Sequence, residues 1–138
     1  MALPESPLKK TGRQILLIDD EPLNQLLVHD YLIAYGYQVV VAPSAEEGMA
    51  MIGTLRPAMV LMDLTLPGMD GMEALRRIRS APETADLPVV IVSGLVSEEC
   101  MARCLRYGCK AYLTKPFQLE VLLELVRRWV DGGDGSED

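Results

Sequence analysis

Apolar and polar positions along this chain come in blocks. Ile15-Leu16-Leu17-Ile18 is a short continuous apolar run that ends abruptly at Asp19-Asp20-Glu21-Pro22. Similar runs recur at about 37–41, 58–62, 88–92 and 111–113. Between them the spacing predicts helices from Pro22 to about Tyr35, closed by Gly36, and then over about 44–55, 71–79, 97–107 and 118–130. Pro22 suits a first helical turn, and acids beside a helix start suit its dipole. Ser44, with Glu47 three residues on, reads as a capping box. Five strands alternating with five helices predict an α/β fold in which a parallel sheet is wrapped on both faces. Burial on two sides explains why the strands read as unbroken apolar runs.

Composition narrows this picture. The chain has 138 residues, with 13 Lys+Arg against 20 Asp+Glu, a net charge of −7. One domain is expected, over residues 13–130, with a tail at 1–12 and an acidic, glycine-rich tail at 131–138. The acidic balance argues against direct nucleic-acid binding, which needs a basic face. There is neither an apolar stretch of membrane-spanning length nor a signal-peptide core at the start, so the reading is no membrane and a cytoplasmic location. Cys100, Cys104 and Cys109 could suggest a metal, but zinc wants four ligands and the only histidine, His29, is distant, so reduced structural thiols are expected. The tail lacks the spacing of an EF-hand loop.

In open parallel sheets, ligands bind beyond the carboxyl ends of the strands. The residues there form a set: Asp19 and Asp20 after the first strand, Asp63 after the third, Ser93 after the fourth and Lys115 after the fifth. Clustered carboxylates repel one another, and a hard divalent cation such as Mg²⁺ relieves the repulsion. Carboxylates, a hydroxyl and a lysine around one such ion suit phosphoryl transfer, which needs alignment and neutralisation of spreading charge. Each residue alone has a plain reading as a helix cap, turn residue or surface charge. Their joint occurrence carries the argument.

Four segments also carry a resemblance: Ile18-Asp19-Asp20-Glu21, Met62-Asp63-Leu64-Thr65-Leu66-Pro67-Gly68-Met69-Asp70-Gly71, Val92-Ser93-Gly94 and Tyr112-Leu113-Thr114-Lys115-Pro116-Phe117. In this order they resemble the receiver domain of bacterial two-component response regulators. The resemblance implies a flavodoxin-like (βα)5 sheet of order 2-1-3-4-5. It implies Asp63 as phosphoacceptor, fed by a histidine kinase or histidine phosphotransfer protein. It also implies Mg²⁺, with Mn²⁺ as an alternative, on Asp20, Asp63 and the Thr65 backbone carbonyl, with Asp19 acting through a water. Lys115 and Ser93 would hold phosphoryl oxygens, and Ser93 with Tyr112 would form the switch, although a half-buried strand aromatic explains Tyr112 as well. Leu66 replaces a frequent Met, Ser93-Gly94 a frequent Thr-Ala, and Thr65 and Leu95 stand where the family tunes dephosphorylation.

Surplus apolar residues suggest contacts. Leu23 and Leu26 in the first helix are expected to dock a kinase or phosphotransfer bundle. Val121, Leu125 and Trp129, spaced by four in the last helix, are expected on a response or homodimer face formed with the fourth helix and fifth strand. Generous core burial is the competing explanation. The output is then a contact with a downstream protein or an attached kinase. Asn24-Gln25 resembles receivers of hybrid kinases, and His29 reads as a surface residue. Two other functions compete. A haloacid-dehalogenase-type phosphatase wants Asp-x-Asp after the first strand, where this chain has adjacent aspartates. A phosphate-independent pseudo-receiver would not need all five polar positions. Retained aspartyl phosphate separates the three readings.

Overall fold

The computed structural model describes residues 13–64, 70–94 and 97–132. Five strands, β1 (Gln14–Ile18), β2 (Gln38–Ala42), β3 (Met59–Met62), β4 (Val89–Ser93) and β5 (Ala111–Thr114), form one parallel sheet in the order β2-β1-β3-β4-β5. The helices are α1 (Pro22–Ala34), α2 (Ala45–Leu55), α3 (Gly71–Ser80), α4 (Glu98–Arg106) and α5 (Leu119–Val126). The fold class and strand order agree with the sequence reading.

The unbroken apolar strands follow from side chains that alternate between two cores. Ile15 and Leu17 of β1 join Val28 and Leu32 of α1 and Leu122 and Val126 of α5 on one face. Leu16 and Ile18 join Ile52 of α2, Leu75 and Ile78 of α3 and Cys104 of α4 on the other. Both faces are covered, so every β1 position from Ile15 to Ile18 is buried.

Helix starts follow side-chain chemistry. Ser44, Asp70 and Ser97 each accept a hydrogen bond from the backbone N–H three residues on, at Glu47, Glu73 and Cys100. The last helix departs from expectation. Regular α-helix stops at Val126, and a wider turn carries Arg127–Asp131 to Gly132 at φ +70°. Asp131, which the sequence places with the acidic tail, accepts hydrogen bonds from Arg13 at 2.8 Å and from the Tyr37 hydroxyl at 2.7 Å. No helix among the described residues is long and apolar enough to cross a membrane. Burial pushes the Cys104 and Cys109 thiols up to about 12 and about 11. His29 is partly exposed beside Asp30.

Candidate phosphoryl and metal site

The site lies where β1, β3, β4 and β5 end. Asp19 follows β1 and is 1% exposed, Asp63 follows β3 at 5%, and Ser93 ends β4 fully buried. Two acids and a hydroxyl so enclosed need partners, because an unpaired buried charge is strongly disfavoured. Lys115, one residue beyond β5 and joined to Pro116 by a cis peptide bond, supplies the cation. Its Nζ donates to Asp63 at 2.9 Å and to Asp19 at 3.4 Å, and stands 3.8 Å from Glu21. Burial pulls the Lys115 ammonium down, but the carboxylates of Asp63 and Asp19 together outweigh it and hold its pKa above the ordinary lysine value.

Asp19 is the most tightly held member. Its side chain accepts from the Glu21 backbone N–H at 2.9 Å and from Asn24 Nδ2 at 2.5 Å, while Gln25 Nε2 donates to its backbone carbonyl at 2.6 Å. The first turn of α1 therefore fixes the acid that precedes it. Sequence reasoning missed this role for Asn24 and Gln25. Their position in the first turn after Asp19 was the available signal, since side chains there reach back over the preceding residues. Asp20 is exposed, yet its carboxylate joins those of Asp19 and Asp63 in a group where one oxygen from each lies within 4.8 Å of the others.

That donor set is all oxygen and carries three negative charges against the one nearby ammonium, which suits a hard divalent cation. Among the described residues it is the one such group of His, Cys, Asp or Glu, so the cysteines do not assemble a comparable one. Thr65, whose carbonyl the resemblance adds to the metal set, lies outside the described residues, as do Leu66 and Leu95.

Gly71 is another residue whose role sequence reasoning understated. Read as turn chemistry, it starts α3 so close to the β3 end that an added Cβ would fall 2.5 Å from the Asp63 backbone oxygen. Only glycine lets α3 begin there without pushing Asp63 aside.

Tyr112 projects from β5 toward α4. Its hydroxyl donates to Cys100 Sγ at 3.9 Å and contacts Ser93, and burial pushes the phenol up to about 12. The structure thus brings Ser93 and Tyr112 together. The apolar candidates divide. Leu23 and Leu26 are 60% and 56% exposed, next to Leu27 at 49%, and Val121 is 40% exposed. Leu125 and Trp129 are half-buried against the α1/α5 core, and the Trp129 ring lies under Lys110 Nζ at 5.0 Å.

A family model for the response regulator receiver domain matches residues 15–127. Protein PilH of Pseudomonas aeruginosa is 34% identical over 119 residues, covering 86% of this chain and 98% of that protein. The receiver domain of the sensor histidine kinase PA1611 from Pseudomonas aeruginosa PAO1, solved with a magnesium ion coordinated in its active-site cleft, superposes with a TM-score of 0.79 at 30% identity, covering 87% of this chain and 98% of that one. The Mn²⁺-bound form of response regulator Rcp1 superposes at 0.74 with 25% identity, covering 86% and 95%. The match extends from the first buried residue of β1 to the turn that ends α5, and this chain belongs to the receiver domains of two-component response regulators.

Proposed function

We propose that the chain accepts a phosphoryl group on Asp63 from the phosphohistidine of a histidine kinase or histidine phosphotransfer protein, in a Mg²⁺-dependent reaction. The observation that carries this is the buried Asp63 carboxylate, held 2.9 Å from Lys115 Nζ with Asp19 and Asp20 oxygens within 4.8 Å. A carboxylate is a weak nucleophile, so help must come from position and fixed charge. One Asp63 oxygen forms a bond to phosphorus as the bond to the imidazole nitrogen breaks and its electron pair stays on the ring. Lys115 is placed to follow the arriving phosphoryl oxygens, and Asp19, locked by Asn24 and the Glu21 N–H, keeps the surrounding acids in register. Asp19, Asp20 and Asp63, with the Thr65 carbonyl, would hold Mg²⁺, or Mn²⁺ in its place. That ion, when bound, neutralises charge on the phosphoryl oxygens.

Ser93 accounts for the switch. Drawn toward a phosphoryl group, it leaves Tyr112, and the ring repacks against α4, β5 and α5, shifting a pre-existing equilibrium. The exposed leucines of α1 begin just past Glu21, so a phosphodonor bundle docked on Leu23 and Leu26 stands over the site. Val121, Leu125 and Trp129 are assigned to the response contact or to a homodimer.

The test is incubation of the native chain with Mg²⁺ and a small phosphodonor, read by intact mass and peptide mapping. One phosphate on Asp63 is expected, absent in Asp63→Asn and absent with chelator. Modification at another residue overturns the assignment, and steady turnover of donor without retained phosphate favours a phosphatase.

A further inference from the structure

We propose that Asn24 is a positioning residue for phosphoryl transfer: it holds Asp19 in place of Lys115, so that the ammonium can leave Asp19 for the arriving phosphoryl group. This rests on the reading of Asp63 as phosphoacceptor. One oxygen of Asp19, Oδ2, is shared between two donors. Asn24 Nδ2 donates to it at 2.5 Å and Lys115 Nζ at 3.4 Å, while Lys115 stands closer to Asp63, at 2.9 Å. The other oxygen, Oδ1, accepts from the Glu21 backbone N–H at 2.9 Å.

Asp19 is 1% exposed, so its charge cannot turn to water when a partner departs. Removing the cation from a buried carboxylate is strongly unfavourable where nothing else holds the oxygen it leaves. Here the shorter of the two bonds comes from a neutral amide, which stays with its helix when Lys115 moves. A hydrogen bond to an ionised acceptor is stronger than one between neutral groups, and the amide brings no charge to a cluster suited to a cation. The aim of Asn24 is itself fixed. Pro22 opens α1, and Gln25 Nε2 donates to the Asp19 backbone carbonyl at 2.6 Å, tying the first turn to the residue it serves. Without the Asn24 amide, Lys115 is the only side-chain donor to Oδ2 among the described residues, and the ammonium is held back on Asp19. Asn24 therefore acts on rate more than on metal affinity, since Asp20 and Asp63 keep their carboxylates.

The experiment phosphorylates the native chain and Asn24→Ala with acetyl phosphate at saturating Mg²⁺. An Asp63 oxygen bonds to phosphorus as acetate leaves with the electron pair of the broken P–O bond. Intact mass follows the rate, and calorimetry gives the Mg²⁺ Kd. Asn24→Ala is expected to be about tenfold slower, the worth of one hydrogen bond to a charged group, with Kd within about twofold of wild type. Asn24→Leu, of similar volume but without a donor, should match it. In an Asp19→Asn background the same Asn24→Ala change should slow the reaction by less than about twofold, because the residue through which it acts is already altered. An unchanged rate in Asn24→Ala or Asn24→Leu, or an equal loss in both backgrounds, overturns the role of Asn24. So does a Kd weakened as much as the rate, which would place the effect on the metal. A wild-type chain that takes no phosphate on Asp63 overturns the phosphoacceptor reading itself, and the role of Asn24 with it.

Discussion

Where the strands end, one ammonium, on Lys115, faces the carboxylates of Asp19, Glu21 and Asp63, with Asp20 beside them. Where β1 and β2 begin, Arg13 and the Tyr37 hydroxyl share the two oxygens of a single carboxylate, Asp131. Both clusters join residues far apart in sequence, and both sit against the sheet. The second is balanced and every polar atom named in it has a partner, so its role is exhausted by holding the fold. The first is overloaded with negative charge, so it gains from something positive entering. Unbalanced burial of charge distinguishes a site from a staple.

The largest expected effect separates the clusters by metal. At a hundred times its Kd, Mg²⁺ should raise the unfolding free energy of wild type by about 2.7 kcal/mol. Denaturant titration should show that gain lost in Asp63→Asn and kept in Asp131→Ala, since distant sites act additively. Loss in Asp131→Ala as well would show that the two ends are coupled.

Next in size, Asp131→Ala leaves the buried Tyr37 hydroxyl and Arg13 without their acceptor and should cost about 2 kcal/mol without metal. Thermal melting checks it, and an unchanged melting temperature would strip the cluster of its structural role.

The smallest effect is a pH slope. The Tyr37 phenol is raised from 10.0 to about 12, by burial first and then by its bond to Asp131. Between these values the unfolded chain has lost the proton that the folded chain keeps. Stability from this group is therefore complete below pH 10 and declines as pH climbs toward 12. Tyr37→Phe should make the decline shallower without removing it, because Tyr112 is also raised to about 12.

The contrast also explains what could be read in advance. Asp19, Asp63, Ser93 and Lys115 were legible because each interrupts or follows an apolar run at a strand end, and the parallel topology carries all such ends to one edge. Ser44 and its helix were legible because a cap and the backbone N–H that donates to it lie three residues apart. Asp131 was not, because its partners lie 118 and 94 positions away and its own neighbours are the glycines and acids of a tail. Gly71 has the sequence surroundings of an ordinary turn glycine, and only the approach of α3 to the Asp63 backbone sets it apart. Trp129 completed an i, i+4 line that suggested exposure, but the widened final turn leaves its ring half-buried, with Nε1 lacking a partner among the described residues. Local spacing encodes elements, whereas contacts across the sheet depend on the assembled register.

The ion pair between Arg13 and Asp131 fixes where polypeptide enters and leaves. Chain arriving at Arg13 and chain departing from Gly132 share one corner, on the far side of the sheet from Asp63. A peptide of a few residues would join them and close only a small loop. The domain is thus a natural cassette: it can be inserted into a surface loop of another protein, or circularly permuted, with its reactive edge facing away from the seam.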